Sequence, residues 1–151
     1  MFPKAHIIYG FLFSLFFYII FPKTPLIYVF AIFISSFLID FDHYLYYIFH
    51  KKDFSLKNSF VYFKKKINLL KKLPKNRRKK ISRGIYIFHG IESVFILLIM
   101  GHFLHKVFYF VSIGVLFHLV LDQIDRLLFY KYPSKISIIY DLFLFSKLER
   151  F

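Results

Sequence analysis

Asp40-Phe41-Asp42-His43 sets two carboxylates and an imidazole into the end of a run that is otherwise Ile, Phe, Leu, Val and Tyr. A carboxylate at membrane depth costs a few kcal/mol or more unless it faces a cavity, a partner or a metal, so such a cluster is by default a functional site. Three other apolar stretches each carry a histidine, two of them with an acid beside it: His6, then His89 with Glu92, then His118 with Asp122. Side chains three or four apart share one face of a helix. Asp40 with His43, His89 with Glu92, and His118 with Asp122 would therefore each point one way, with Asp125 a further turn along. Pairs of this kind on facing helices are how helical bundles build metal sites in their cores. The chain has no cysteine, so any metal is held by nitrogen and oxygen. That donor set suits a divalent ion, Zn foremost with Mn or Fe as alternatives, and the number of donors leaves room for one or two ions.

A metal so bound lowers the pKa of its water to about 7 and polarises a phosphoryl or carbonyl oxygen. A carboxylate left off the metal then serves as general base. Asp40 is the deepest acid of its segment and one turn from His43, which makes it the expected catalytic residue, with Asp42 as the alternative. His50, His102 and His105 fall at helix ends or turns and are expected at the surface.

The elements that position these groups are apolar. The hydrophobic fraction is 58 %, with 24 Phe and 12 Tyr in 151 residues, more than a soluble domain of this size can hide, which predicts a single integral-membrane domain over 1–151. The expected fold is all-α, a four-helix membrane bundle with transmembrane helices at about 6–21, 26–49, 84–104 and 107–130. Pro22-Lys23-Thr24-Pro25 makes the first turn. Ser55 to Leu73 spaces Leu56, Phe60, Phe63, Ile67 and Leu70 at threes and fours between lysines, which predicts an amphipathic helix in the headgroup layer, ended by Pro74. Ile136 to Phe145 is apolar but too short to span and predicts a C-terminal interfacial or packing helix.

The net charge is +14, and 14 of the 22 Lys and Arg lie between Lys51 and Arg83. Polybasic segments beside spans favour the cytoplasmic side and its anionic lipids, each charge contributing on the order of 1 kcal/mol near the surface. The 50–83 connection is therefore expected in the cytoplasm, in a multi-pass cell-membrane protein with both termini cytoplasmic. Its expected partners are membrane lipids, with anionic headgroups at the basic loop and no specific nucleic acid. The oligomeric state is left open by the sequence. In this topology His6 and His89 near helix starts, and Asp40, Asp42, His43 and Asp122 toward helix ends, fall in one half of the membrane.

Lys-Ala-His6 opening the first helix, Ile39-Asp40-Phe41-Asp42-His43, a helix opening with His89, and His118-Leu-Val-Leu-Asp122 resemble the integral-membrane metal-dependent hydrolases, membrane relatives of zinc-dependent phospholipase C and the S1/P1 nucleases. Ile39 stands where that family has Pro, and Phe88-His89-Gly90 where it has Thr-His-Ser, with Glu92 close by as a substitute for the serine. The resemblance implies His6, Asp42, His43, His89, His118 and Asp122 as metal ligands, with Asp40 close to them, and pairing on the third helix adds Glu92. The expected activity is metal-dependent hydrolysis of a phosphoester in a lipid or lipid-linked substrate reached from the cytoplasmic face. Two other classes fit the same residues: a metal-ion or proton transport component, and a non-catalytic scaffold whose basic loop binds anionic lipid or an acidic partner.

Overall fold

The computed structural model describes residues 3–74, 86–130 and 137–139, and within them the only regular structure is helical. In chain order the helices are α1 (Pro3–Ile20), α2 (Leu26–Leu38), α3 (Phe41–Lys51), α4 (Leu56–Lys72), α5 (Ile91–Phe103) and α6 (Val107–Tyr130). The basic run Lys75 to Lys80 and, apart from 137–139, the helix expected over 136–145 lie outside the described residues.

The segment Leu26–Lys51 is not one regular helix. It tightens at Ile39–Asp40, where the Asp40, Asp42 and His43 amides bond to the carbonyls of Phe37, Ile39 and Asp40, each three residues back, at 3.1–3.2 Å. Such a 3₁₀-like turn inside a helix re-aims the side chains that follow it. Here it sits at the two aspartates. The third apolar segment also differs from expectation. Residues 87–90 are bends, and α5 begins only at Ile91 after an extended Gly90. A β-carbon at Gly90 would lie 2.3 Å from Glu92 Oε2 and 2.4 Å from Ile138 Cγ1, so any larger residue would displace the Glu92 and Ile138 side chains.

After α3 the chain turns at Lys52, which adopts the left-handed conformation (φ 52°) common just past a helix end. Asp53 then ties α3 to α4: Tyr47 Oη donates to Oδ2 at 2.5 Å, Asn58 Nδ2 to the same oxygen at 2.8 Å, and the Ser55 amide to Oδ1 at 2.9 Å. These donors, Tyr47 first, hold the Asp53 carboxyl below its ordinary range. Ser55 Oγ accepts from the Asn58 amide and caps α4.

In the bundle, α2 lies against both α1 and α6, and α5 packs on α6. Ile39, Val94, Val115 and Leu119 form an apolar core joining the α2–α3 junction to α5 and α6. Phe13 stacks on Phe117 and Tyr28 on Phe110, with centroids 4.0 and 4.5 Å apart. Gly114 brings α6 against the backbone of α2 at Ile32, the close approach that small residues permit between helices in lipid. The outer faces are apolar as well: Phe16, Ile19, Ile27 and Ile99 are all more than half exposed. Two helical spans, Leu26–Lys51 with its tightened turn and Val107–Leu128, are long and apolar enough to cross a membrane, and 28 % and 33 % of their most apolar 18-residue stretches is buried against the rest of the protein. The apolar stretches Lys4–Ile20 and Ile91–Phe103 are shorter.

Candidate metal centre

Four separate pieces of chain deliver polar side chains to one end of the bundle. His6 comes from the first turns of α1, Asp40 from the α2–α3 junction, and Asp42 and His43 from the first turn of α3. His89 stands two residues ahead of α5, while His118 and Asp122 lie one turn apart on α6. Six of these residues fall into two groups of potential ligands, each with its donor atoms within 4.8 Å of one another: His6, His118 and Asp122, all buried, and Asp40, His43 and His89, partly buried.

The orientation of two imidazoles is set from outside the cluster. His118 Nδ1 lies 2.8 Å from the Ser36 carbonyl, which can only accept, so Nδ1 carries the hydrogen and Nε2 the lone pair. His89 Nδ1 lies 3.0 Å from Asp42 Oδ2, and the Phe88 amide donates to the same oxygen at 3.0 Å. A carboxylate behind one ring nitrogen is the usual way of fixing the tautomer of a metal-binding histidine. The two Nε2 atoms then face each other at 3.3 Å, a gap that one proton carried by His89 or a cation between the rings would bridge. That contact is repulsive unless a positive charge stands beside it. Two nitrogens on one tetrahedral zinc, each ~2.0–2.1 Å from the ion, are about 3.3 Å apart.

Asp40 joins the groups. Its Oδ1 is 3.7 Å from Nε2 of His43, of His89 and of His118, and its Oδ2 is 4.0 Å from Nε2 of His6. His6 Nε2 is 3.3 Å from Asp122 Oδ1, and its ring stacks on His118 at 4.0 Å. On the far side of Asp122, Arg126 Nη2 approaches Oδ2 at 3.7 Å. Among the described residues, five buried polar atoms lack a well-formed hydrogen bond: both ring nitrogens of His6, of which Nε2 has only the Asp122 contact, Asp40 Oδ2, Asp42 Oδ1 and His43 Nδ1. A buried polar atom without a partner costs on the order of 1–3 kcal/mol, and one shared proton could not serve all five. A cation in either group would take up one His6 nitrogen or an Asp40 oxygen, and the nitrogen and oxygen donors fit a divalent ion.

Two residues expected among the ligands stand elsewhere. Glu92 accepts from Ser137 Oγ at 2.5 Å and from the amides of Ile138 and Ile139 at 3.1 and 3.4 Å. It anchors the 137–139 segment to the start of α5 and belongs to neither group. Asp42 lies behind His89, as an orienting carboxylate, while Asp40, expected to be the free base, faces four imidazoles. His50, His102 and His105 are exposed, and His105 Nδ1 accepts from the Val107 amide at the start of α6. Sequence spacing could have added Arg126, one turn past Asp122. It could not have added the Ser36 carbonyl, which is backbone.

Because Asp42 holds both His89 Nδ1 and the Phe88 amide, Asp42→Ala is expected to lower metal affinity by roughly 10–100-fold, the usual loss for an orienting partner. Competition against a chromogenic chelator, with helicity checked by circular dichroism, measures it. Unchanged affinity would leave Asp42 without a role in the centre.

A cavity of about 600 Å³ opens beside the cluster, bounded by the α2–α3 junction, α4 and α6 and reaching Asp40, His43 and Asp122. Leu56, Phe60, Phe63, Ile67 and Leu70, the apolar face of α4, line it rather than closing against the bundle. Family models, curated proteins and solved structures contain no match to this chain, so the functional argument rests on the centre itself.

Proposed function

We propose that the protein is a membrane-embedded metal-dependent hydrolase of phosphoesters, of the kind the integral-membrane metal-dependent hydrolases resemble, acting on a lipid or lipid-linked substrate. The observation that carries this reading is the pair of imidazoles, both held through Nδ1, whose Nε2 atoms meet at 3.3 Å beside Asp40. In this reading the bundle crosses the cell membrane several times, both termini and the basic connection are cytoplasmic, and the centre opens toward the inner leaflet. The abundance of exposed Phe, Ile and Leu on every helix supports it.

Bound divalent ions would supply a water of lowered pKa and a Lewis acid for a phosphoryl oxygen. The chain's own groups do the rest. His6, His118 and Asp122 would form one set of ligands, and His43 and His89 would donate to the other, with Asp40 between them left as the base. Asp40, facing both sets, receives the proton of the attacking water as its oxygen bonds to phosphorus. The ester P–O bond then breaks, and Asp40 returns that proton to the departing alkoxide, which leaves as an alcohol. Three carboxylates, Asp40, Asp42 and Asp122, and the cation of Arg126 leave the site with two negative charges in excess. Two divalent ions would turn it into an excess of two positive charges, which a phosphate dianion would neutralise and a diester monoanion would halve.

Among the described residues, the serines of the apolar helices offer the transport alternative no free polar groups. Ser14, Ser35, Ser36, Ser93 and Ser112 each donate a hydrogen bond to a carbonyl three to five residues back, four of them to a carbonyl of their own helix. The test is hydrolysis of a fluorogenic short-chain phospholipid by detergent-purified protein. Activity is expected to vanish after removal of metal by chelation and to return on adding Zn or Mn. Activity indifferent to chelation, or none with any phosphoester while metal is bound, would overturn the hydrolase reading.

A further inference from the structure

A metal-binding imidazole needs something behind it to hold its ring. His118 has the Ser36 carbonyl, His89 has Asp42, and His6 is stacked on His118. His43 is held differently. Its Nε2 is turned to Asp40 Oδ1, 3.7 Å away, but its Nδ1 is buried with no hydrogen-bond partner, and its side chain, 28 % exposed, forms part of the cavity wall. What meets its ring is aromatic. Tyr86 stands edge-to-face to it at a centroid distance of 4.1 Å and an interplanar angle of 78°, with Phe63 of α4 tilted at 5.4 Å and His89 at 4.6 Å. Tyr86 also packs on Tyr46, one turn beyond His43 on α3, at 5.4 Å. Its ring therefore contacts two side chains on one face of α3. It lies three residues ahead of His89, so one short stretch supplies one imidazole of the group and steadies another.

We propose that Tyr86 is a positioning residue that acts through His43: its ring keeps the imidazole turned so that Nε2 faces Asp40 and His89. The inference rests on the metal centre of the hydrolase reading and not on the reaction assigned to that centre. The last torsion of a histidine side chain is broad and two-fold, so a ring with no hydrogen bond behind it turns easily and carries its donor nitrogen off target. Edge-to-face packing opposes that turn, and an aromatic pair of this kind is worth a factor of roughly 2–10 in an equilibrium. His43 and Tyr86 both border the cavity, whereas His6 and His118 are fully buried. The imidazole most open to an entering molecule is thus the one held by rings alone.

Cobalt(II), whose visible absorption reports the number and geometry of its ligands, tests this on the full chain in detergent after chelation. Tyr86→Leu removes the ring and is expected to weaken cobalt binding by roughly 2–10-fold, with the visible bands displaced toward those of His43→Ala. Tyr86→Phe keeps the ring and should match wild type in both affinity and spectrum. In a His43→Ala background Tyr86→Leu should cost nothing further, whereas residues acting independently would lose affinity additively. Additive losses would overturn the proposal. So would wild-type binding by Tyr86→Leu, or a Tyr86→Phe as weak as Tyr86→Leu. Carbethoxylation of His43 by diethyl pyrocarbonate in metal-free protein, read by peptide mass spectrometry, is a second readout that needs no ion. It should run faster in Tyr86→Leu than in wild type or Tyr86→Phe, while the exposed His102 reacts equally in all three. Equal rates at His43 would overturn the contact. The hydrolase stands or falls separately: Tyr86 coupled to His43 in protein that binds cobalt and cleaves no phosphoester would uphold this inference and overturn that reading. If wild type binds no cobalt, the hydrolase falls and the carbethoxylation rates decide the role of Tyr86.

Discussion

His118→Ala is expected to strip the protein of its metal. Wild-type protein purified in detergent without chelator should carry one or two divalent ions per chain by elemental mass spectrometry, zinc foremost, and the variant less than about a tenth of that. The loss should exceed the ~10–100-fold typical of an orienting partner, because His118 is itself a donor. It is fully buried and meets every part of the centre: His89 Nε2 at 3.3 Å, Asp40 Oδ1 at 3.7 Å, and the His6 ring stacked at 4.0 Å. Removing it also leaves the Ser36 carbonyl without its donor. His50→Ala, at an exposed site, should leave occupancy unchanged. Full metal content in His118→Ala would dissolve the centre into a network of ion pairs, and the scaffold reading of the basic loop would then lead.

A second large effect is expected far from any ligand. Gly114→Ala would place a methyl group 2.3 Å from the Ile32 carbonyl oxygen and 3.1 Å from its carbon. Backbone cannot step aside as a side-chain tip can, so α6 and α2 must separate, at a cost on the order of 1–3 kcal/mol or more. Along the same pair of helices, one turn further, His118 bonds to Ser36 across a 2.8 Å gap. Separation of the helices should therefore lower the thermal midpoint and weaken metal binding together. Gly10→Ala is the control: its closest contact is the Ser36 hydroxyl, which can rotate away, although Ser36 Cβ at 3.0 Å still leaves it tight. The expected order of damage is Gly114 well above Gly10. Equal midpoints for wild type and Gly114→Ala would show that the α2–α6 approach is not what sets the site.

Much of the helical framework is legible in the sequence because apolar runs and prolines mark it. The turn at Pro22 to Pro25, the amphipathic α4 and the extent of α6 follow from spacing and punctuation alone. The start of α5 does not, because apolarity marks burial and not helix, and the residues before Ile91 are held by Asp42 and by the tight fit at Gly90. The candidate residues of the centre are equally legible as types at helical spacing. Their division of labour is not. Asp40 and Asp42 are two apart, so they must leave a helix on different sides, and only the tightened turn and the position of His89 decide which faces the imidazoles. Glu92 has the right spacing from His89, yet His89 precedes the helix and the (i, i+3) argument fails there.

The tightened turn at Ile39–Asp40 has a consequence for how this protein would respond to mutation. In an uninterrupted helix the Ser36 carbonyl would accept from the Asp40 amide four residues on. Here that amide bonds to Phe37 instead, and the released carbonyl orients His118. No side chain encodes this acceptor. A scan that replaces every residue by alanine would miss this role of position 36, since the alanine variant loses the hydroxyl bonded to Phe33 but keeps the same carbonyl oxygen. The orientation of this fully buried imidazole is thus inherited from the path of the main chain and guarded by whatever holds the turn. Substitutions that let Leu26–Lys51 relax into a regular helix would blunt the centre without touching any of its donors.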